Sequence, residues 1–391
     1  RQNYYPEKKA PHHTWFYLGE AYMNNNQLED ALDAYEKFKS LPDFEKQYNL
    51  GITNDAIKAV ETAKIIQDNP LNTYKYCFEE PVNTGSNEYN AVISANEQVM
   101  VWMTSEKLYE AIMMSRKEDG KWSSPENITP QLGSDGDMLP TGLSADGREL
   151  LLIKKDLFDN DIFHSKYDGT IWSTAVPMAG KINSSSLEDH ASFHPDGTKI
   201  LLSSSRRGSK GGLDLWISER INDSTWTKPV NAGNDINTKG DETSAYFSPD
   251  GKKILFSSTG HFCMGGYDIF ESAILDDGGF ETPKNLGFPV NTTTDNTYFV
   301  PLNDGSSGIY CIRDDEGIGS KDIWFIEILE NDQDVPKFLS RLSDHNFTIT
   351  IHNKNSGEII TLSYDAGSDS LSIDSDKGNV YDIEYSRKKD D

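Results

Sequence analysis

Each of five residue pairs through the middle of the chain carries at least one acid or amide side chain: Asn87-Glu88, Asp137-Met138, Leu187-Glu188, Asp241-Glu242 and Asp295-Asn296. The first member of each pair lies nine residues ahead of a turn residue, namely Asn96, Asp146, Asp196, Asp250 and Asp304. Carboxylates and amides are hard oxygen donors. Brought to one point, they would bind a cation such as calcium or seat a basic peptide. Asp137, Glu188, Asp241, Glu242 and Asp295 are the metal-site candidates on this reading. The plainer alternative is that these side chains hydrogen-bond the backbone of their own turns.

Other reactive residues do not assemble into a known motif. His190 and His194 are four apart, a spacing that binds zinc on a helix. On the strand expected here their rings would lie about 13 Å apart. No G-x-S-x-G elbow, H-E-x-x-H, Walker loop or dinucleotide fingerprint is present. Cys77, Cys263 and Cys311 have no metal-ligand spacing and read as small buried residues. Asp374-x-Asp376-x-Gly378 has the start of a calcium loop without its closing glutamate. The expectation is a chain that is not an enzyme and carries no cofactor, calcium being the one ion left open.

The elements that would position the pairs repeat with them. The turn residues are spaced 50, 50, 54 and 54 residues apart. Four of the turns read Asp-Gly, which suits a two-residue hairpin needing φ > 0 at both positions. An acid then opens an apolar strand at Asp161-Ile-Phe, Asp214-Leu-Trp, Asp268-Ile-Phe and Asp322-Ile-Trp. An aromatic leading to a proline follows at Trp122, Trp172, Trp226 and Phe280. A unit of about 50 residues and four strands is the signature of a propeller blade. In the fourth unit the strands are expected at Ser244–Phe247, Lys253–Ser257, Tyr267–Ile274 and near Pro283–Leu286. The last unit lacks an outer strand. Tyr74–Asn83, whose Pro81-Val82-Asn83 matches Pro229-Val230-Asn231, is expected to supply it. Five blades are expected, and a sixth only if the chain after 330 adds one. The propeller is placed at 74–330.

Helical periodicity precedes it, in a segment placed at 1–70. Trp15, Leu18, Gly19 and Tyr22 share one face, and Leu28, Ala31, Leu32, Tyr35 and Phe38 share another. Trp15-x2-Leu18-Gly19-x2-Tyr22, with Ala31, Tyr35 and Pro42 after it, resembles one tetratricopeptide repeat. Phe38 departs from it, standing where a small residue is usual. After the propeller, residues 331–345 read as a linker. Residues 346–391 read as a small β domain with strands at Phe347–Ile351, Glu358–Tyr364, Leu371–Ile373 and Val380–Tyr385. The expected class is a multidomain α+β chain.

The formal net charge is −26, from 63 acidic and 37 basic side chains. Such a field repels phosphate backbones and anionic lipid heads, so nucleic acid is excluded as a partner and a basic surface is the natural complement. No stretch is long enough for a membrane span. Residue 1 is Arg, which the reading takes as a start after processing or truncation.

The blades resemble the PD40, or WD40-like, repeats of the TolB type. Ser248-Pro-Asp-Gly-Lys-Lys-Ile-Leu-Phe-Ser-Ser258 and Gly260-His-Phe-Cys-Met-Gly-Gly-Tyr-Asp-Ile-Phe270 carry the resemblance. Tetratricopeptide helices followed by such a propeller are similar to PorE-type components of the type IX secretion system, envelope proteins of Bacteroidetes. That resemblance implies a periplasmic, outer-membrane-associated scaffold among other secretion-complex proteins, with a lipoprotein anchor left open. It implies a carboxypeptidase-regulatory-like identity for the last segment, and peptidoglycan contact only through an OmpA-like domain that this chain does not show. Trp15, Tyr22, Arg206, Arg207, His261 and Met264 are the candidate contact residues, the last four on loops ahead of a blade's third strand. The alternative function is a propeller that binds cell-wall glycan, peptide or calcium.

Overall fold

Alternating apolar residues between Gly and Asp turns give short antiparallel strands, and these strands assemble into five separate sheets around an axis. The computed structural model describes residues 11–42, 44–105, 109–156, 159–329, 347–353, 359–364 and 381–387. They divide into a unit ending at Ile328 and a smaller one from Leu329. The described chain is mostly β, with a five-bladed propeller in the first unit.

Each blade runs from an innermost strand a to an outermost strand d. In blade 4 these are Glu242–Phe247, Lys253–Ser258, Asp268–Ala273 and Lys284–Asn285. The a strands of blades 1, 2, 3 and 5 are Asn87–Ile93, Met138–Leu143, Glu188–Phe193 and Val300–Leu302. Blade 5 takes its outer strand from the other end of the propeller. Thr73–Cys77 pairs antiparallel with Asp322–Ile328, from Thr73 opposite Ile328 to Cys77 opposite Trp324. Closure by both ends removes the open edges that a propeller would otherwise present.

Two expectations about the repeat are corrected. At three of the four Asp-Gly turns only the glycine takes positive φ, at Gly147 (71°), Gly197 (73°) and Gly251 (70°). The loop is longer than two residues. Gly147 N–H donates to Ser144 O, while the Asp146 carboxylate accepts from the Ser144 hydroxyl and Arg148 N–H, which holds Asp146 right-handed. Second, the structural partner of Pro81-Val82-Asn83 is Pro289-Val290-Asn291. Both prolines follow cis peptides, and both asparagines are fully buried. Asn83 clasps Ile323, its Nδ2 donating to the carbonyl at 2.8 Å and its Oδ1 accepting the amide at 2.9 Å. Asn291 clasps Ile269 in the same way, as do Asn237 on Leu215 and Asn183 on Ile162. Asn231 instead groups with Asn285. Each donates to the acid that opens its blade's c strand, Asp214 or Asp268.

Ahead of the propeller lie helices α1 (Thr14–Asn24), α2 (Leu28–Lys39), α3 (Phe44–Gln47) and α4 (Leu50–Gln67). Gly19 is required by packing, because a Cβ there would overlap the Tyr35 ring. Phe38 finds an aromatic cluster, with ring centroids 4.9 Å from Phe44 and 4.8 Å from Tyr48. Met23, Ala31, Tyr35, Ile57 and Val60 form the helical core. Leu71 N–H donates to Phe288 O at 2.7 Å, tying the chain after α4 to the seam between blades 4 and 5.

The second unit contains a three-stranded antiparallel sheet, with Phe347–Asn353 between Ile359–Tyr364 and Tyr381–Arg387. The expected linker at 331–345, the strand at Leu371–Ile373 and the faint calcium loop at Asp374 to Gly378 lie outside the described residues.

Candidate functional site: the propeller axis and the loops of blades 3 and 4

The recurring acids begin at the a strands, and most are engaged by their own blade. Glu188 is fully buried and accepts from Ser184 N–H, Ser184 Oγ, Ser204 Oγ and Arg206 Nη2. Glu242 is equally buried and accepts from Thr238 N–H, Thr238 Oγ1 and Ser258 Oγ. Glu88 repeats the pattern with Thr84 and Thr104. These carboxylates latch the incoming chain to the start of the blade, which satisfies buried charge as burial demands.

The aspartates one residue earlier are less enclosed. Asp241 Oδ1 accepts Leu213 N–H at 2.7 Å and Asp295 Oδ1 accepts Tyr267 N–H at 3.0 Å, so each pins the loop ahead of strand c in the preceding blade. Asp137 accepts from Ser134 Oγ and lies 3.2 Å from Lys154 Nζ. Burial alone would raise Asp137, but Lys154 and Ser134 hold it below the ordinary carboxylate range. Among the described residues no group of three His, Cys, Asp or Glu side chains is placed to hold a metal ion. The five candidates therefore sit at equivalent places without forming one ligand set.

A polar cluster that the sequence reading missed lies deeper. The His190 ring of blade 3 meets Tyr246 of blade 4 edge-on at 4.7 Å and Tyr298 of blade 5 at 5.7 Å. Blades 3 and 5 are not neighbours, so these side chains cross the axis and fill its waist. Burial pushes the His190 imidazole down to about 3, keeping it neutral. The Thr141 backbone meets the His190 ring and Asn90 meets Tyr298, while Ser244 Oγ and Tyr246 Oη are buried without a hydrogen-bond partner among the described residues. Asn90, Ser244 and Tyr298 hold positive φ (50°, 50° and 57°), and strands a of blades 1 and 4 bulge at that point. His194, by contrast, sits in its turn with Nδ1 2.7 Å from Asp196.

The loops ahead of strand c differ between blades. In blade 3, Arg206 is buried and donates to Ser204 Oγ, Lys181 O, Ile182 O and Glu188. In blade 4 Gly260 stands in its place and the next residue, His261, takes over. Its Nε2 lies 2.8 Å from Ile236 O, the counterpart of Ile182 O. Met264 is fully buried and Arg206 is 8 % exposed, so neither is free to meet a partner. This corrects two of the expected contact residues. Arg207 is exposed and His261 half-buried. Trp15 is 38 % exposed beneath Lys37, and Tyr22 packs partly into the helical core.

Blade 4 also faces α4 across a cleft of about 490 Å³. One wall carries Asp55, Lys58, Ala59 and Thr62; the other carries Lys239, Thr259, His261, Cys263 and the glycines around them. Lys58 and Lys239 have no sequence signal that would have marked them, since only folding brings them to one cleft.

No family model matches the sequence, and no curated protein matches it. Solved structures do. TolB from Acinetobacter baumannii is 15 % identical with a TM-score of 0.41, over 62 % of this chain and 54 % of that one. The chain thus spans about half of that TolB. A structure described as putative TolB from Agrobacterium tumefaciens is 17 % identical with a TM-score of 0.39, over 64 % and 78 %. An α-L-arabinofuranosidase from Podospora anserina, in complex with cellotriose, is 12 % identical with a TM-score of 0.42, over 67 % and 95 %. That enzyme corrects the expectation that this chain is not one. The blade count itself rests on the strand pairing of this chain.

Proposed function

We propose that this chain is a scaffold or adaptor that holds protein partners in a bacterial outer-membrane-associated complex, of the kind that carries out type IX secretion. The observation that carries the reading is where the repeated polar side chains go. Glu88, Glu188 and Glu242 are engaged within their blades and the axis is filled at its waist. What the molecule offers to others is its outer surface of loops and helices. That surface belongs to a chain of net charge −26, so basic partner faces are its complement. The tetratricopeptide-like helices, with Trp15, Tyr17, Ile52 and Ile65 exposed, extend it with apolar contact area.

Placement in the periplasm follows from the resemblance to PorE-type proteins. No helix among the described residues is long and apolar enough to cross a membrane. The test is affinity isolation of the chain from the envelope fraction at low and high salt. Defined envelope proteins in fixed ratio, released as ionic strength rises, support the proposal; a chain recovered alone at both salts contradicts it. The second reading, a ligand-binding propeller, is favoured by one observation, the cleft between α4 and blade 4.

A further inference from the structure

We infer that the cleft between α4 and blade 4 binds a small molecule through an anionic oxygen group, a phosphate or a carboxylate. Its volume of about 490 Å³ is that of a small-ligand site. Two lysines line it from opposite walls, Lys58 on α4 and Lys239 on the connection into blade 4. Neither forms an ion pair among the described residues, although the chain has 63 acids for 37 bases. The lysines around them are engaged: Lys64 with Glu29, and Lys210 with the Asn237 carbonyl.

The cleft also owes its open volume to blade 4 alone. Where blade 3 has Arg206 inserted beneath its loop, blade 4 has Gly260, whose Cβ would collide with Thr238. Gly265 and Gly266 are likewise closed to side chains by Thr292, Thr293 and Asp295. On the facing helix Ala56 and Ala59 are small. Among the lining residues Lys58, Lys239, Thr62 and Thr259 carry side-chain N–H or O–H donors. Thr259 Oγ1 already accepts Asp241 N–H, which leaves its proton to donate. His261 Nε2 donates to the Ile236 carbonyl, so Nδ1 of the neutral ring is an acceptor and offers an anion no hydrogen bond. Asp55 is the one acid in the lining and opposes an anion.

The experiment is calorimetric titration of the full chain with two probes, inorganic phosphate and succinate, at low ionic strength. Saturable binding of either probe is expected, the stronger one naming the group. Lys58→Gln with Lys239→Gln should weaken it at least tenfold, and Asp55→Asn should tighten it two- to fivefold. Lys252→Gln, an exposed lysine in the blade 4 turn, should leave it unchanged. Hydrogen exchange with the bound probe should slow in residues 55–62 and 259–266 together. Failure of both probes to saturate, or equal binding by the double variant, overturns the inference, and neither result bears on partner capture from the envelope.

Discussion

Blades 3 and 4 are built on the same nine-residue loop between strands b and c, and they complete it differently. From Ser204 to Asp214 the loop closes over a buried guanidinium with four side-chain hydrogen bonds. From Ser258 to Asp268 a glycine replaces the arginine and a histidine makes a single bond to the same carbonyl position. The acids that end the loops differ too. Asp214 has both oxygens bonded, to Lys210 N–H, Gly211 N–H and Asn231. Asp268 is bonded to Met264 N–H, Gly265 N–H and Asn285, yet burial raises its carboxyl well above the ordinary carboxylate range. One blade has a loop locked by charge. The other has a loop completed by neutral groups and open to a cleft. A repeat can thus keep its backbone and free one copy for recognition.

The largest effect should come from removing the lock. Arg206→Met removes the guanidinium from the buried Glu188, which keeps its bonds from Ser184 and Ser204, and should cost about 3 kcal/mol in denaturant unfolding. Adding Glu188→Gln should recover much of that loss. The matching change in blade 4, His261→Ala, removes one neutral bond and should cost about 1 kcal/mol. Equal losses would erase the contrast between the blades.

A smaller, pH-dependent difference is expected at the loop ends. Burial raises Asp268 from 3.8 to about 7, against the bonds from Met264, Asn285 and Gly265. Between those values the folded chain holds a proton that the unfolded chain has lost, so stability falls as pH rises through that window. Asp268→Asn should remove this slope and raise the melting temperature at pH 8 relative to wild type. Asp214→Asn should lower it at the same pH. Melting curves at pH 5 and 8 decide between them.

A pair away from both loops gives the opposite sign. Burial would raise Glu149, but hydrogen bonds from His164 and Arg220 and the Arg220 charge outweigh it and hold Glu149 at about 2. Its stabilisation is present above the unfolded value of 4.5 and is lost as pH falls toward 2. Glu149→Gln should flatten acid unfolding over that range. The smallest effect should be Trp15→Ala, an exposed position expected to change stability by less than about 0.5 kcal/mol. It should nonetheless weaken partner capture.

Much of the propeller was legible because its punctuation is local. Asp-Gly turns, the acid that opens strand c and the Trp-to-Pro segment are each set by nearby backbone needs, so they recur visibly. The five blades and their spacing followed from them. The blade-to-blade clasps were harder, because Asn237 and Asn291 act through partners 22 residues away and Asn83 through Ile323 at 240. That distance is why Pro81-Val82-Asn83 was paired with the wrong asparagine. The candidate site was least legible. Acids in register suggested a ligand ring, but their register comes from latching each blade. The waist around His190 and the Lys58–Lys239 cleft join residues from separate elements, and no periodicity announces them.

The contrast between the two blades is tested most directly by amide hydrogen exchange in the intact chain, followed side by side in residues 205–212 and 260–266. The account predicts slow exchange in the first loop, insensitive to phosphate or succinate, and faster exchange in the second that slows when a probe is added. Equal protection of both loops, unchanged by either probe, would contradict it.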